Sequence, residues 1–270
     1  MLHSVPLASA AAMALMGAAL AAEPAPLPPP PVFSWTGLYL GINLGGHWGD
    51  SATRFTGTDT DGAGLGAALS AGVIPTTGAS TAAGFIGGGT IGYNYQINGF
   101  VLGLEIDVDG TTGRKSVNTL RGPQSGFVPV AFASSQELNW FGTVRGRLGF
   151  ALMDRLLIYG TGGLAFGQSV ATFSTSAPAG DPPLFASASN QANVGWAVGG
   201  GIEYALLPSW SAKVEYLHYD LGRTTGTIVY EYAPDFSTLT GVTKHEGNIV
   251  RAGVNYRFSW GAPGLVVAKY

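Results

Sequence analysis

The sequence predicts an all-β fold: an eight-stranded antiparallel up-and-down transmembrane β-barrel with short periplasmic turns and long extracellular loops. Charged residues make up only 11% of the 270-residue chain, whereas a water-facing surface is ordinarily about 25–35% ionic. Hydrophobic residues reach 46%, which excludes a disordered chain. Apolar side chains recur at alternate positions, and this period of two is typical of strands whose two faces meet different surroundings.

The composition also excludes several functions. The chain has no cysteine, which rules out thiol catalysis, disulfides and cysteine-ligated metal sites. Its net charge of −3 provides no basic stripe to neutralise phosphates, so nucleic acid is not an expected partner. Beyond the N-terminal stretch no run approaches 18 apolar residues, which excludes a helical membrane protein.

The N-terminal region has the pattern of an export signal. An apolar stretch from Ala8 to Leu20 ends in small residues that fit an A-x-A cleavage site, although no Lys or Arg precedes it. We therefore predict a signal peptide at residues 1–21. Residues 22–34 are rich in proline, favour polyproline II and form a predicted periplasmic tether. The barrel is predicted at 35–258, followed by a C-terminal extension at 259–270.

Eight segments carry the alternation, which is clearest where Phe100, Leu102 and Leu104 oppose Val101, Gly103 and Glu105. Each has roughly the 9–11 residues that a tilted membrane strand needs, and an even number suits a bacterial single-chain barrel. In the fourth segment we assign Leu138 to the lipid face; in the fifth the facing stays open. The predicted strands lie at 38–45, 84–96, 100–109, 137–150, 156–167, 193–206, 210–221 and 247–258.

The lengths of the connections predict the orientation. Short turns are expected at 97–99, 153–155 and 207–209, and long polar loops near 49–83, 110–135, 168–192 and 222–246. Short turns on one side and long loops on the other are typical of outer-membrane barrels, with the turns in the periplasm. A soluble lipocalin-type barrel would need its charges outside, and 13 basic and 16 acidic residues are too few for that.

The faces opposite lipid carry charges of both signs. Since an eight-stranded barrel is just wide enough for its own side chains, and a buried unpaired charge is costly, we interpret them as a salt-bridge network that closes the lumen. A narrow polar pore is the alternative. The predicted acids are Glu105, Asp107, Asp109, Glu137, Glu203 and Glu215, and the predicted bases are Arg145, Arg147, Lys213, Arg251 and Arg257.

Histidines are the other candidates for chemistry. His47 and His245 are both expected at the extracellular end, where strands one and eight meet, so a loop-borne haem or other ligand site is a second alternative. His218 lies at the height where a lipid-modifying acyltransferase or deacylase would need a histidine, but no outward serine accompanies it, and we interpret it as a girdle residue. We predict no catalytic residue, no metal site and no cofactor.

Six motifs in order resemble a known family: 35–41 (WTGLYLG), 143–149 (TVRGRLG), 159–165 (YGTGGLA), 195–201 (GWAVGGG), 214–222 (VEYLHYDLG) and 250–256 (VRAGVNY). Together they resemble the small porin-family barrels called outer membrane immunogenic proteins, relatives of the OmpA and OmpX type. The resemblance spans about Trp35 to Phe258. It implies a protein of the Gram-negative outer membrane with antigenic loops. The resemblance implies neither enzymatic activity nor pore activity.

From these observations we expect a structural barrel that supports envelope integrity and makes surface contacts through its extracellular loops. The expected partners are outer-membrane lipid and lipopolysaccharide, the barrel-assembly machinery, and a host or surface ligand at the loops. The assembly machinery reads a terminal aromatic residue, and either Phe258 or Tyr270 can supply it.

Overall fold

The computed structural model describes residues 33–60, 65–72, 76–113, 118–121, 131–176, 185–232 and 235–258. The predicted signal peptide, most of the tether and the C-terminal extension lie outside these residues. Among the described residues, no helix combines the length and the hydropathy needed to cross a bilayer.

Nine antiparallel strands and one short helix make up the described chain. The elements are β1 (Gly37–Asp59), α1 (Leu65–Ser70), β2 (Thr77–Ile97), β3 (Phe100–Gly113), β4 (Asn118–Arg121), β5 (Ala131–Met153), β6 (Leu156–Ser176), β7 (Phe185–Leu207), β8 (Trp210–Tyr232) and β9 (Asp235–Phe258). The sheet runs β3-β2-β1-β9-β8-β7-β6-β5-β4, and β3 also pairs with β5. Eight long strands therefore close into a ring, as predicted, while β4 is an additional short strand beside β5.

The alternation in the sequence matches the two faces of the barrel wall. Outward side chains are large and apolar, such as Ile42 at 71% exposed and Leu104 at 68%. The residues between them point into the lumen, as Tyr39 and Glu105 do, and both are buried. The open facing of the fifth predicted segment is settled, because Leu157 is buried in the lumen.

The three predicted short turns are present. They join β2 to β3, β5 to β6 and β7 to β8, each over two residues. In the first turn Asn98 has a φ of 55°, a left-handed conformation that asparagine adopts more readily than most residues. All three turns lie at the same end of the barrel, which is the periplasmic end in the predicted orientation.

The predicted long loops are shorter than expected, because the strands continue into them. β1 extends to Asp59 rather than ending near residue 48, and β8 and β9 pair from Asp220–Glu246 up to Tyr232–Asp235. Threonine and other β-branched residues favour strands. Because polar residues, mainly threonine, occur on both faces of these segments, the alternation of the strands does not appear as an alternation of hydropathy. The strands other than β3, which ends at Gly113, thus form an extension above the apolar band.

The helix α1 packs against the inner side of this extension. The backbone amide of Gly66 donates to Asp59 Oδ1 at 2.8 Å. The Leu69 side chain is buried and lies against Gly57 of β1, a residue whose neighbours Thr56 and Thr58 face outward. Helix α1 therefore lies on the inner side of the extension at β1.

A β-bulge corrects one predicted facing. The register between β5 and β6 shifts between Leu138 and Trp140. An extra residue in one strand reverses the alternation beyond it. Leu138 was assigned to the lipid face, and that prediction is wrong: it packs against the buried core cluster inside the barrel.

Candidate functional site

The lumen contains a layer of charged side chains centred on Arg145 of β5. Its Nη2 lies 2.6 Å from Glu105 Oε1 and 2.8 Å from Asp107 Oδ2. Its Nη1 lies 3.1 Å from Glu215 Oε1. The Nε donates to Thr143 Oγ1 at 2.7 Å, and this hydroxyl donates to Asp107 at 2.6 Å. Arg145 is fully buried, so one guanidinium connects three carboxylates from β3 and β8.

Arg251 of β9 closes the network from the opposite wall. Its Nη1 lies 3.0 Å from Asp107 Oδ1 and 2.7 Å from Asp109 Oδ2. Its Nη2 lies 2.7 Å from Glu215 Oε2, and its Nε donates to the same oxygen at 2.9 Å. Asp107 and Glu215 are therefore shared by two arginines, and the network ties β3, β5, β8 and β9 across the lumen.

A second group lies nearer the periplasmic end, around Arg147 and Glu203. These two side chains form an ion pair, and the Arg147 guanidinium stacks 3.6 Å from the ring centre of Tyr159. Glu203 also accepts hydrogen bonds from Ser211 at 2.5 Å and from Asn255 at 2.8 Å. The carboxylate oxygens of Glu203 therefore accept hydrogen bonds from neutral donors in addition to the ion pair with Arg147.

Lys213 and two tyrosines link the two groups. Lys213 Nζ lies 2.9 Å from Glu105 Oε2, the oxygen to which the Tyr39 hydroxyl donates at 2.8 Å. The Tyr159 hydroxyl donates to Glu215 Oε1 at 3.3 Å. The sequence analysis did not assign Tyr39 or Tyr159 to this network. For Tyr39 the inward position in the alternation was a signal, since a lumen-facing phenol needs a polar partner. For Tyr159 there was no such signal, because the facing of its segment was left open.

Nine of the eleven predicted lumen residues lie in these contacts: Glu105, Asp107, Asp109, Glu203, Glu215, Arg145, Arg147, Lys213 and Arg251. The side chain of Glu137 lies outside the described residues. Arg257 is at the periplasmic mouth instead, where it donates to the carbonyl oxygens of Thr36 and Pro208. The ring of Phe33 lies 4.5 Å from its guanidinium carbon. Backbone carbonyls and an aromatic face take the place of the expected carboxylate.

Apolar side chains fill the lumen on both sides of the charged layer, which the sequence analysis did not anticipate. On the extracellular side the buried cluster is Ile86, Phe141, Ala165, Ala197, Leu217, Tyr219, Leu221 and Ile249. On the periplasmic side it is Trp35, Val101, Leu157, Tyr159 and Ala205, with Phe33 packed against it. Continuing the alternation from Lys213 and Glu215 would have placed Leu217 in the lumen. Among the described residues, the charged layer thus lies between two buried apolar clusters.

The structure does not bring the two predicted ligand histidines together. His47 is buried beside Thr112 and Gly113 of β3. His245 is buried on the other side of β1, where its Nε2 lies 3.1 Å from Thr224 Oγ1 of β8. Burial lowers the pKa of His245, and Asp220 opposes this effect. Within the described part of the chain, no three His, Asp or Glu side chains group as metal ligands.

His218 lies on the outer surface among polar aromatic neighbours. Its Nδ1 lies 3.0 Å from Asn248 Oδ1, which also accepts a hydrogen bond from Tyr216 at 2.6 Å. The Trp196 ring lies 5.6 Å away, centre to centre. Amphipathic rings at this height are typical of the aromatic girdle at a membrane surface.

A closed antiparallel barrel with an apolar exterior, periplasmic two-residue turns and a filled polar lumen belongs to the outer-membrane β-barrel class. Comparisons with known proteins agree. The family model for the outer membrane protein beta-barrel domain matches residues 7–258. The chain belongs to this family, and its location is the outer membrane of Gram-negative bacteria.

Named relatives are similar along most of the chain. The 31 kDa outer-membrane immunogenic protein of Brucella melitensis is 36% identical over 265 residues, covering 95% of this chain and 100% of the relative. A 22 kDa outer membrane protein of Rhizobium leguminosarum is 28% identical over 197 residues, 72% and 67% of the two chains. Among solved structures, the outer membrane protein OprG from Pseudomonas aeruginosa has a TM-score of 0.44 and 12% identity, covering 83% of this chain and 97% of that one.

Proposed function

We propose that this protein is a structural barrel of the outer membrane whose lumen is closed and whose extracellular side provides the contact surface. Its work is to support envelope integrity and to contact molecules at the cell surface. In this proposal the lumen transports nothing, and the protein has no enzymatic activity.

The observation that carries the proposal is the filled cross-section at Arg145. The side chains of Arg145, Arg251 and Asp107 are each 0% exposed. An open aqueous pore would leave such groups hydrated, whereas here other side chains take the place of water. The apolar clusters above and below add a barrier to ions, because taking a charge out of water costs several kcal/mol even after the protein relaxes.

The surroundings of His218 support the absence of enzymatic activity. A hydrolytic site needs a nucleophile within hydrogen-bond reach of its base. His218 instead contacts the amide of Asn248 and the ring of Trp196. Deacylation of lipid A by the native protein, lost in His218→Ala, would contradict this part of the proposal.

The test is the conductance of a planar bilayer that contains refolded protein, residues 22–270. Folding is confirmed first by the heat-dependent shift in gel mobility that folded barrels show. We expect a quiet bilayer for the native protein and for Arg54→Gln, a change at an exposed residue. Steady, salt-dependent steps that Glu105→Gln or Arg145→Gln alters would overturn the closed lumen and make the protein a narrow porin.

The remaining partners stay predictions. These are insertion by the barrel-assembly machinery through Phe258 or Tyr270, and recognition of a host ligand; of the two aromatic residues, Phe258 ends β9 and Tyr270 lies outside the described residues. A haem or other ligand held jointly by His47 and His245 is the weaker alternative, because their rings contact different strands.

A further inference from the structure

The chain enters the barrel at the periplasmic mouth through residues 33–36, which precede β1. Trp35 is 2% exposed and belongs to the buried cluster on the periplasmic side, which also contains Val101 of β3 and Leu157 of β6. The rings of Phe33 and Trp35 pack edge to face, with their centres 4.9 Å apart. We call residues 33–36 the strap, because they cover the lumen on the periplasmic side of the charged layer.

Side chains make the described contacts between the strap and the barrel wall. The Trp35 amide donates to Gln96 Oε1 at 2.7 Å, and the Gln96 amide donates to Thr36 Oγ1 at 2.9 Å. Arg257 donates to the carbonyl oxygen of Thr36 at 3.3 Å, and its guanidinium carbon lies 4.5 Å from the centre of the Phe33 ring. Gln96, Thr36 and Arg257 are only half-buried, so water can replace these hydrogen bonds at little cost.

A glycine connects the strap to β1. Gly37 has a φ of 140°, a conformation that residues with a side chain rarely adopt. A Cβ at this position would lie 3.0 Å from the carbonyl oxygen of Phe258. The pairing of β1 with β2 begins at Gly37, and its pairing with β9 begins at Leu38. The strap can therefore turn about residue 37 while the ring of strands stays intact.

A polar compartment lies beneath the strap. Its cavity has a volume of about 10 Å³, which is space for about one water molecule. Among the described residues, four buried polar atoms of its lining have no hydrogen-bond partner: Trp35 Nε1, Asn94 Oδ1, Asn255 Oδ1 and Arg257 Nε. Asn255 Oδ1 lies over Gly41 of β1, whereas Asn94 Oδ1 lies over Gly103 of β3. Two strand spacings, about 10 Å, separate β1 from β3, so one water molecule cannot serve both oxygens.

Two effects of opposite sign act on the strap. Closing it buries the rings of Phe33 and Trp35, which stabilises the closed position. Closing it also takes polar atoms out of water without giving each of them a partner, which favours the open position. We propose that the strap is a hinged cover that turns about Gly37 and admits water and small polar solutes to the periplasmic part of the lumen, as far as the ion pair of Arg147 and Glu203.

Glu203 is the inner limit of this compartment. Its side chain lines the cavity beneath the strap and pairs with Arg147 on the inner side. Beyond this pair lies the charged layer around Arg145, which stays closed when the strap opens. The opening of the strap goes beyond the proposed function, which requires only that the charged layer is closed.

The experiment measures how fast a thiol in the compartment reacts, since the chain has no cysteine of its own. Asn94→Cys places one thiol beneath the strap. The full mature protein is folded in detergent, and its reaction with a small water-soluble methanethiosulfonate is followed by mass spectrometry. Two reference positions bracket the rate: Arg155→Cys at an exposed periplasmic turn, and Ala197→Cys in the buried cluster on the extracellular side of the charged layer.

The strap is loosened by two substitutions in the Asn94→Cys background. Gln96→Ala removes the acceptor of the Trp35 amide, and Phe33→Ala removes the ring that packs against Arg257 and Trp35. Gln96→Glu keeps an acceptor at the same place and is the matched control. The heat-dependent shift in gel mobility confirms that each variant is folded.

We expect Asn94→Cys to react measurably but far more slowly than Arg155→Cys. Gln96→Ala and Phe33→Ala should each raise this rate several-fold, up to about tenfold, which is what the loss of one hydrogen bond does to an opening equilibrium. Gln96→Glu should leave the rate unchanged. A rate for Asn94→Cys equal to that of Arg155→Cys would show that the strap covers nothing, and unchanged rates in both loosened variants would show that it does not open. Either result would overturn the proposal.

The outcome for the proposed function is read separately. Ala197→Cys should stay unreactive in every background, and planar bilayers with Gln96→Ala should stay quiet. Reaction of Ala197→Cys would refute the closed lumen, while the ratio of the Asn94→Cys rates with the loosened and the native strap would still decide whether the strap opens.

Hydrogen exchange of the native protein tests the same opening without a cysteine. The amide hydrogens of Trp35 and Gln96 both take part in the strap contacts. They should exchange together and with less protection than those of Leu40 and Ile91, which lie opposite each other in the pairing of β1 with β2. Equal protection of all four amides would show a fixed strap and would overturn the proposal.

Discussion

The membrane-embedded part of the barrel and the extension above it share the same strands but are stabilised differently. In the membrane part, outward side chains are apolar, and the lumen holds a layer of buried charged side chains, such as Arg145 and Arg251, between two apolar clusters. In the extension polar side chains occur on both faces, among a few apolar ones such as Leu239 and Val229. Threonine faces outward, and Thr53 and Thr243 form a hydrogen bond at 2.9 Å inside.

Because of this difference, a single polar contact contributes more to the free energy of unfolding in the membrane part than in the extension. A fully buried charge has no water beside it to replace a lost partner, so removing one member of the network leaves the others uncompensated. In the extension, water can take over most of the same hydrogen bonds, and each contributes little. We therefore expect the membrane part to be intolerant of substitution and the extension to be tolerant.

The largest expected effect is that of Arg145→Ala. It leaves Glu105, Asp107 and Glu215 without their common cation, and breaking a buried network in this way costs about 3–5 kcal/mol. Urea unfolding of the barrel in lipid vesicles, followed by tryptophan fluorescence, measures the loss. Arg54→Ala, in the extension, should change the free energy of unfolding by less than about 0.5 kcal/mol. Equal losses for both variants would mean that the lumen is hydrated.

Two adjacent glycines of β1 give a second comparison within the membrane part. A Cβ at Gly45 would lie 2.1 Å from the carbonyl oxygen of Val250 and 2.6 Å from the Cα of Arg251. At Gly46 the nearest atom is 3.7 Å away. Gly45→Ala should therefore destabilise by up to about 3 kcal/mol, as overpacking does, and Gly46→Ala should be nearly neutral. The same vesicle assay measures both, and similar values would show that β1 and β9 are not so closely packed.

The sequence was informative where the two faces of a strand meet different surroundings. Lipid outside and charge inside made the alternation from Phe100 to Asp109 readable, and with it the ring of eight strands and the position of Glu105. The same reasoning lost its signal in the extension, where threonine occupies both faces and strands were taken for loops. The predicted facing of Leu138 was wrong for another reason. The bulge depends on how β5 pairs with β6, and no local sequence pattern encodes that pairing.

Within the lumen, residue type could be predicted but contacts could not. Charge balance identified Arg145 and Arg251 as network members. It did not reveal that Arg145 reaches β8 across the barrel, because that depends on the tilt and the closure of the ring. Arg257 shows the limit clearly: its inward facing was predicted, yet it lies beyond the carboxylates and donates to backbone carbonyls.

The same substitution in both regions isolates the effect of water. Thr143→Val in the lumen removes a hydroxyl that accepts from Arg145 and donates to Asp107. Leaving these buried groups unsatisfied should cost about 1–3 kcal/mol. Thr58→Val removes an exposed hydroxyl bonded to Thr238 and should cost less than about 0.5 kcal/mol. Urea unfolding of the two variants side by side gives the difference, and a larger loss at Thr58 would reverse the comparison.

The smallest effect is expected from pH in the extension. Burial lowers the pKa of His245, and the charge of Asp220 opposes this only in part. The unfolded chain, with a histidine pKa of about 6.5, then binds more protons than the folded one. The stability contributed by neutral His245 is complete above about pH 6.5 and is lost as the pH falls toward the lowered folded pKa.

Hydrogen exchange of the backbone amides of β8 and β9 above Asp220 measures this effect, with protection compared at pH 7.5 and 5.5 after correction for intrinsic rates. Protection should fall modestly at the lower pH in the native protein. His245→Asn keeps a polar side chain near Thr224 without the titration, and its protection should depend less on pH. His218→Asn, in the girdle, is the matched control and should retain the native dependence. If His245→Asn retains the native pH dependence as well, a titrating group other than His245 causes the loss of protection in the extension.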